Sequence, residues 1–216
     1  MKIKFAHLYY DIMNLYGSNG NGQVIKRYLE DQNIDFSLNF YTINDKIPFD
    51  EIDFIYIGCG TENGLKMVMN DLHKYKDQIQ DYIDANKFIF LNGNSLELLY
   101  NKFDDIDALG IINNEVKYEK RQKQEVVLKS DFIDDEIIGF VNNYGVLEKT
   151  DKVFLNYGYR HKNVFATYIL GPLLVRNPIF TEKLISEFIY SIDSKFTIKK
   201  FDNELDKDAY KEFLEL

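Results

Sequence analysis

Three apolar runs, each followed by a turn rich in Gly or Asn, constrain the fold of this chain more than any other feature. They are IKFAHLYY (3–10), IDFIYIGCG (52–60) and KFIF (87–90). Each turn leads into a segment with helical spacing of apolar residues, and strands that are apolar on both faces are buried between helices. Repeated strand-turn-helix units place their strands side by side and parallel. The sequence therefore predicts an α/β protein with a mostly parallel core sheet.

The segments between and after these runs complete the predicted architecture, a three-layer sandwich. After Phe103 short strands alternate with tight turns, which predicts an antiparallel extension of the sheet. The predicted helices span 23–32, 62–86, 95–103 and 178–192, a further strand spans 35–43, and a charged amphipathic segment spans 204–216. Because no linker interrupts the pattern, we expect one domain over 1–216, with a helical tail from about 178 to 216.

The composition disfavours several classes of function. A formal net charge of −9 argues against nucleic acid and anionic membranes as partners, because both reward clustered Lys and Arg. No apolar run approaches the roughly 20 residues that span a bilayer, and the first residues lack the apolar core of a secretory signal. Cys59 is the single cysteine, which excludes an internal disulfide and a Cys-rich metal site. We expect a cytoplasmic protein that binds no metal, cofactor or nucleic acid and does not insert into a membrane.

The carboxyl ends of parallel strands meet at one edge of a sheet, where α/β proteins bind ligands. The turns at 9–22, 58–64 and 91–95 are therefore predicted to line one crevice. The stretch GSNGNG has neither the spacing nor the lysine of a phosphate-binding loop, which argues against nucleotide binding. Ser95 lacks the second glycine of a hydrolase elbow, where Glu97 stands instead, so we interpret this serine as the N-cap of a helix.

Cys59 ends a predicted strand in this crevice, and a reactive thiol needs a neighbouring base. Of the three histidines, His7 lies within the first strand, His73 on the long helix and His161 in the polar turn GYRHKN. None of these positions indicates a partner for the thiol. An inert Cys59 is the favoured interpretation, and a nucleophilic Cys59 that works with His7 or His161 is the alternative.

Several segments together resemble a known enzyme family. They are MNLYGSNGN (13–21), IGCGTENG (57–64), ALGII (108–112), IGFVNNYG (138–145) and ATYILGPLLVRNP (166–178). In order and spacing they are similar to the class I glutamine amidotransferase domains of the cobyric acid synthase (CobB/CobQ) type, and especially to GatD-type glutaminase subunits. The resemblance spans nearly the whole chain. It implies a flavodoxin-like α/β fold and a Mur ligase-type (MurT-like) protein partner in the amidation of lipid II.

The two positions that carry the chemistry of this family are substituted here. The family turn C-G-G holds the cysteine that attacks the glutamine amide, and its motif T-Y-x-H-G-P holds the histidine that moves the proton. The resemblance places Asn92 at the first position and Leu170 at the second. An asparagine amide is not a usable nucleophile and leucine accepts no proton, so neither half of the acyl-enzyme route remains. We therefore expect no catalytic residues in this chain.

Some residues of the family's ligand crevice are substituted here, but the resemblance still implies a pocket. A side chain, Cys59, now interrupts a run of three glycines, and Arg121 falls near an arginine that gathers glutamine in GatD-type domains. The residues that we expect to form a vestigial pocket, able to bind glutamine or a related carboxylate or amide without cleaving it, are Gly58, Cys59, Gly60, Gly93, Asn94, Ser95, Arg121 and Asn143.

Three hypotheses of function follow. The first is an inactive amidotransferase-like subunit that binds or regulates a Mur ligase-type partner in the amidation of cell-wall precursors. The second is an active glutaminase or amidohydrolase that uses Cys59. The third is a module that binds a small molecule in the pocket.

Overall fold

A seven-stranded sheet forms the centre of the molecule. The computed structural model describes residues 1–147 and 152–215, so residue 216 of the predicted tail lies outside the described residues. The strands are β1 Lys2–Leu8, β2 Asp35–Tyr41, β3 Phe54–Ile57, β4 Phe88–Asn92, β5 Tyr100–Phe103, β6 Ile106–Asp107, β7 Ile112–Glu115, β8 Lys117–Ser130, β9 Ile133–Val146, β10 Val153–Phe154, β11 Gly158–His161 and β12 Val164–Thr167. The helices are α1 Ser18–Asp31, α2 Glu62–Leu72, α3 Lys76–Asp84, α4 Leu173–Arg176, α5 Pro178–Ile192 and α6 Glu204–Leu214.

The strand order of the central sheet is β10-β11-β12-β4-β3-β1-β2. Strands β12, β4, β3, β1 and β2 run parallel, and β11 pairs antiparallel with both β12 and β10 at one edge. The predicted fold class, a mostly parallel α/β sheet, is confirmed.

Alternate residues of the central strands pack into two separate apolar layers. In β4, Phe88 and Phe90 face the layer that holds α1 and α5, whereas Ile89 and Leu91 face the layer that holds α2 and α3. Because helices cover both faces, every position of this strand is buried and apolar up to Leu91. The three-layer arrangement therefore follows from the continuous apolar runs.

The Gly-rich stretch 16–22 is the first place where the structure differs from the sequence prediction. It forms only one turn, at Gly17 with φ +74°, and α1 already begins at Ser18. The glycines lie where α1 approaches its neighbours closely, since a Cβ on Gly20 would lie 3.3 Å from Pro172 and one on Gly22 would lie 3.1 Å from His7. Tertiary contact therefore overrides the low helix propensity of glycine.

Two predicted helices were wrong in detail. The helix expected over 62–86 is divided into α2 and α3 by a 3₁₀ turn, His73–Tyr75. The helix expected over 95–103 is instead a 3₁₀ segment, Gly93–Leu99, followed by β5. The 3₁₀ segment winds more tightly than an α-helix, and nearly all of its residues are buried.

The predicted antiparallel extension of the sheet is present as β11 and β10, which follow β12 at one edge. Strands β8 and β9 form a separate long antiparallel hairpin, and in a third, small sheet β5 pairs antiparallel with β6 but parallel with β7. The hairpin attaches to the body where Phe140 and Leu170 exchange backbone hydrogen bonds of 3.2 and 2.8 Å. This contact places the hairpin across the carboxyl ends of the central strands. Among the described helices, none is long and apolar enough to cross a membrane.

Candidate functional site

A cavity of about 110 Å³ lies where the hairpin crosses the ends of β3 and β4. Six residues of the predicted pocket line it: Cys59, Gly60, Gly93, Asn94, Arg121 and Asn143. The side chain of Leu170 also lines it. Gly58, Ser95 and Asn92 are not among the lining residues, so the position at which the resemblance would place a nucleophile contributes nothing to the wall of the cavity.

Asn92 is fully buried and held by hydrogen bonds on both sides of its amide. Its Oδ1 accepts from the Tyr56 hydroxyl at 2.7 Å and from Asn21 Nδ2 at 3.3 Å, and its Nδ2 donates to the Ile169 carbonyl at 3.4 Å. Asn21 Oδ1 in turn accepts from the backbone N–H of Leu174 at 2.8 Å. The amide therefore joins β3, β4, α1 and the segment before α4 in one buried network.

The turn after β4 has the geometry of an elbow, but its space is occupied. Gly93 has φ +79°, a conformation that favours glycine. A Cβ at this position would lie 2.6 Å from Cys59 Sγ and 2.8 Å from Leu170 Cδ2. The side chains of Cys59 and Leu170 thus fill the volume directly above the elbow.

Asn94 engages the backbone of Gly60 from both ends of its amide. Its Oδ1 accepts from the Gly60 N–H at 3.0 Å, and its Nδ2 donates to the Gly60 carbonyl at 3.0 Å. Cys59 Sγ also donates to the same Oδ1 at 3.4 Å. The backbone donor that the loop after β3 would offer to a ligand oxygen is therefore already engaged.

The thiol of Cys59 is in an environment that keeps it protonated. The residue is 5% exposed, and burial raises the pKa of the thiol to about 11. His7 packs against Tyr56 with ring centroids 4.7 Å apart, and burial lowers the pKa of its imidazole to about 4. His161 is the last residue of β11 and half-buried, not in a solvated turn as the sequence suggested. Among the described residues that line the cavity there is no histidine.

Ser95 does not cap a helix, and this prediction was wrong. Asn92 occupies the N-cap position of the 3₁₀ segment, without a side-chain hydrogen bond. Ser95 Oγ lies 3.1 Å from the Asn92 carbonyl oxygen and 3.2 Å from that of Ile57. The segment forms a 3₁₀ turn rather than an α-helix, and the hydroxyl bonds to carbonyl oxygens of earlier residues instead of a backbone N–H. The side chain is fully buried.

Arg121 and the residues around it form the mouth of the cavity. Arg121 Nε donates to Asn142 Oδ1 at 2.6 Å, and the guanidinium carbon lies 5.0 Å from the centroid of the Tyr144 ring. Asn142 Nδ2 donates to the Tyr16 hydroxyl at 2.5 Å. These contacts hold the Arg121 guanidinium at the rim of the cavity, on the exposed side of the hairpin.

Glu97 is the site residue that the sequence prediction missed. It is 5% exposed, and its carboxylate accepts from the Tyr118 hydroxyl at 3.0 Å and the Tyr168 hydroxyl at 3.3 Å. Burial raises the pKa of the carboxyl to about 7, although both hydroxyls act to lower it. A glutamate between leucines in SLELLY was the available signal, because charged residues in apolar surroundings are rare without a partner. Within the described ranges, no three His, Cys, Asp or Glu side chains are grouped as a metal site requires.

No family model matches this sequence, but two curated proteins are similar to it over nearly its whole length. The GatD subunit of the glutamine-hydrolysing lipid II isoglutaminyl synthase of Streptococcus pneumoniae is 22% identical, with 99% of this chain and 87% of that protein covered. The subunit of the same name from Staphylococcus aureus is 25% identical, with 96% and 93% covered.

Solved structures share the fold at low sequence identity. A glutamine amidotransferase superposes with a TM-score of 0.59 at 13% identity, covering 85% of this chain and 97% of its own. The glutaminase domain of Trypanosoma brucei CTPS gives 0.56 at 8%, covering 91% and 96%. A glutamine amidotransferase from Thermotoga maritima gives 0.53 at 9%, covering 97% and 92%. Sequence and fold together make this chain a homologue of the GatD subunits with the fold of a glutamine amidotransferase domain.

Proposed function

We propose that this chain is a GatD-type subunit that does not hydrolyse glutamine and that acts by binding a Mur ligase-type partner in the amidation of lipid II. The observation that carries the proposal is the placement of Asn92, which stands at the nucleophile position and faces a buried network instead of the cavity. An inactive elbow of this kind has a structural role only.

Two further features support the loss of chemistry. Leu170 stands where a base is needed and packs beside Gly93, so substrate would meet an apolar side chain at that point. The Gly60 N–H is engaged by Asn94 and is not free to stabilise an oxyanion, which is commonly the largest single contribution to acyl transfer. Nucleophile, base and this backbone donor are therefore all missing together.

The role in a complex is supported by the relatives. Both are subunits of a lipid II isoglutaminyl synthase by name, and both are covered along most of their length by this chain. Because this chain covers most of the length of both subunits, we infer by analogy with them that it keeps the surface through which they assemble.

The alternative in which Cys59 is the nucleophile has little support. The thiol is buried, burial raises its pKa to about 11, and neither His7 nor His161 lines the cavity beside it. The alternative of a binding module is favoured by one observation, the open cavity itself.

The test is a glutaminase assay on the purified chain, alone and with a candidate Mur ligase-type partner, beside the Staphylococcus aureus GatD subunit as the positive control. We expect no release of glutamate from glutamine by this chain, together with a stable complex on size-exclusion chromatography. Turnover that disappears in Cys59→Ala would overturn the inactive assignment. Lack of any complex would overturn the partner role.

A series of variants separates the effect of the two substituted side chains from the effect of the engaged Gly60 N–H. Asn92→Cys with Leu170→His restores the two lost groups, and adding Asn94→Gly frees the Gly60 N–H. We expect the double variant to hydrolyse no glutamine, because the Gly60 N–H stays bonded to Asn94. We expect the triple variant to hydrolyse glutamine faster than the double variant.

A further inference from the structure

The inner wall of the cavity carries a buried carboxylate, Glu97, whose hydrogen-bond partners among the described residues are both neutral. Glu97 accepts hydrogen bonds from two groups, Tyr118 on β8 and Tyr168 after β12, and neither hydroxyl carries positive charge. A Cβ on Gly145 would lie 2.7 Å from Glu97 Oε1, so β9 also passes directly over the carboxylate. Three separate segments thus converge on one acidic group.

A second acceptor in the cavity lacks a donor. Asn143 lines the same space, and its Nδ2 donates to the carbonyl oxygen of Gly145. The Oδ1 of the same amide is buried and has no hydrogen-bond partner among the described residues. A buried acceptor left unsatisfied costs about 1–3 kcal/mol, so a donor from a ligand would be favoured here.

The charges around Glu97 are mostly negative. Glu62 of α2 and Asp104, in the turn after β5, also line the cavity, and both raise the pKa of the Glu97 carboxyl. The Asp104 carboxylate pairs with Lys66 at 3.1 Å, and Arg121 is held at the rim by Asn142 and Tyr144. The interior therefore favours a ligand that brings both positive charge and N–H donors.

We propose that this cavity binds a primary-amine cation on a short apolar stem, with the ammonium group between Glu97 and Asn143 Oδ1 and the stem against Leu65 and Phe103. An ammonium supplies three donors and one charge. The apolar side chains of Leu65 and Phe103 lie on the remaining wall.

The volume limits the size of the ligand. A cavity of about 110 Å³ is somewhat smaller than engineered apolar cavities of about 150 Å³ that bind benzene. A stem of about four carbons therefore matches the space. An uncharged amide of the same length offers donors but no charge, so it would leave an ionised Glu97 unpaired. The inference rests on the proposed loss of glutamine chemistry at this cavity, yet binding and glutaminase activity are measured separately.

Isothermal titration calorimetry with n-butylammonium chloride tests the proposal, with butyramide as the neutral probe of similar shape. We expect n-butylammonium to bind the full chain at pH 8.5 and butyramide to bind at least about 10-fold more weakly. Glu97→Gln should weaken n-butylammonium binding about 10- to 100-fold, the usual loss for a hydrogen-bonded charge. Asp105→Asn removes an equal charge from a fully exposed neighbouring side chain and should leave the affinity unchanged.

Proton release by the unaltered protein provides a measurement that needs no variant. Because burial raises the pKa of the Glu97 carboxyl to about 7, amine binding at pH 6.0 should release protons, seen as different binding enthalpies in buffers of low and high ionisation enthalpy. At pH 8.5 the release should vanish. Equal binding of butyramide, an unaffected Glu97→Gln variant that is folded by circular dichroism, or no proton release at pH 6.0 would each overturn the proposal. Absence of glutaminase activity bears only on the proposed function.

Discussion

Asn92 stabilises this fold through hydrogen bonds that a cysteine cannot make. Replacing it by cysteine removes the acceptor that the Tyr56 hydroxyl and the Asn21 amide share. The hydroxyl keeps the Ser18 carbonyl at 2.8 Å, but one N–H of the buried Asn21 amide loses its partner. We expect Asn92→Cys to lower the free energy of unfolding by about 1–3 kcal/mol. Urea denaturation measures the change. Asn63→Cys, an exposed position on α2, is the matched control and should have little effect; equal stability of both variants would contradict the role of the network.

Cys59 should behave as an unreactive thiol in the native state. A thiol with a pKa of about 11 holds far less thiolate at pH 8 than an ordinary cysteine, and this one is also shielded. We expect alkylation by iodoacetamide to be at least about 100-fold slower than for a free thiol. In denaturant the rate should return to the ordinary value. Rapid alkylation of the folded protein would instead favour Cys59 as a nucleophile.

The β8–β9 hairpin can lie close over the cavity because β9 has glycine where it crosses the segment after β12 and the Glu97 side chain. A Cβ on Gly139 would overlap Ile169 Cγ2, where β9 passes over the segment after β12. We expect Gly139→Ala to destabilise the protein by about 1–3 kcal/mol, the usual cost of overpacking. Thermal and urea melts measure it. Val127→Ala changes an exposed position of the same hairpin and serves as the control; a Gly139→Ala protein as stable as this control would show that the hairpin moves freely on the sheet.

An element could be predicted from the sequence when the residues that determine it lie within the element itself. The helix expected over 178–192 is α5, Pro178–Ile192, because Pro at its first position and a continuous apolar face are local signals. The start of α1 was missed because its glycines are explained by distant neighbours, Pro172 and His7. Glu97 was missed for the same reason, since Tyr118 and Tyr168 reach it from remote segments. A local pattern places Asn92 at the elbow, but only the assembled sheet determines where its amide points.

For the whole molecule, two buried groups give the stability a distinctive dependence on pH. Burial lowers the pKa of His7 to about 4, below its unfolded value, so its contribution is present above pH 6.5 and lost as pH falls to 4. Burial raises the pKa of Glu97 to about 7, so its contribution falls as pH rises from 4.5 to 7. Each shift corresponds to about 3 kcal/mol. The two slopes oppose each other between pH 4.5 and 6.5.

We therefore expect His7→Phe and Glu97→Gln to change the pH profile in opposite directions. Relative to the unaltered protein, His7→Phe should become less stable as pH rises from 4.5 to 6.5, because only the Glu97 slope remains. Glu97→Gln should become more stable over the same window. Urea midpoints at half-unit intervals of pH measure both. Profiles parallel to that of the unaltered protein would mean that both side chains titrate as if they were exposed.

The two hydrogen bonds between the Asn94 side chain and the Gly60 backbone also bear on evolution. Under the proposed loss of activity, we expect a return to glutamine hydrolysis to need changes at Asn92, Leu170 and Asn94 together, because each change alone breaks a hydrogen-bonded or packed contact. We therefore expect the single variants to be less stable than the unaltered protein and to gain no activity. Under the same proposal, the hydrogen bonds between Asn94 and Gly60 would hinder a stepwise return to hydrolysis.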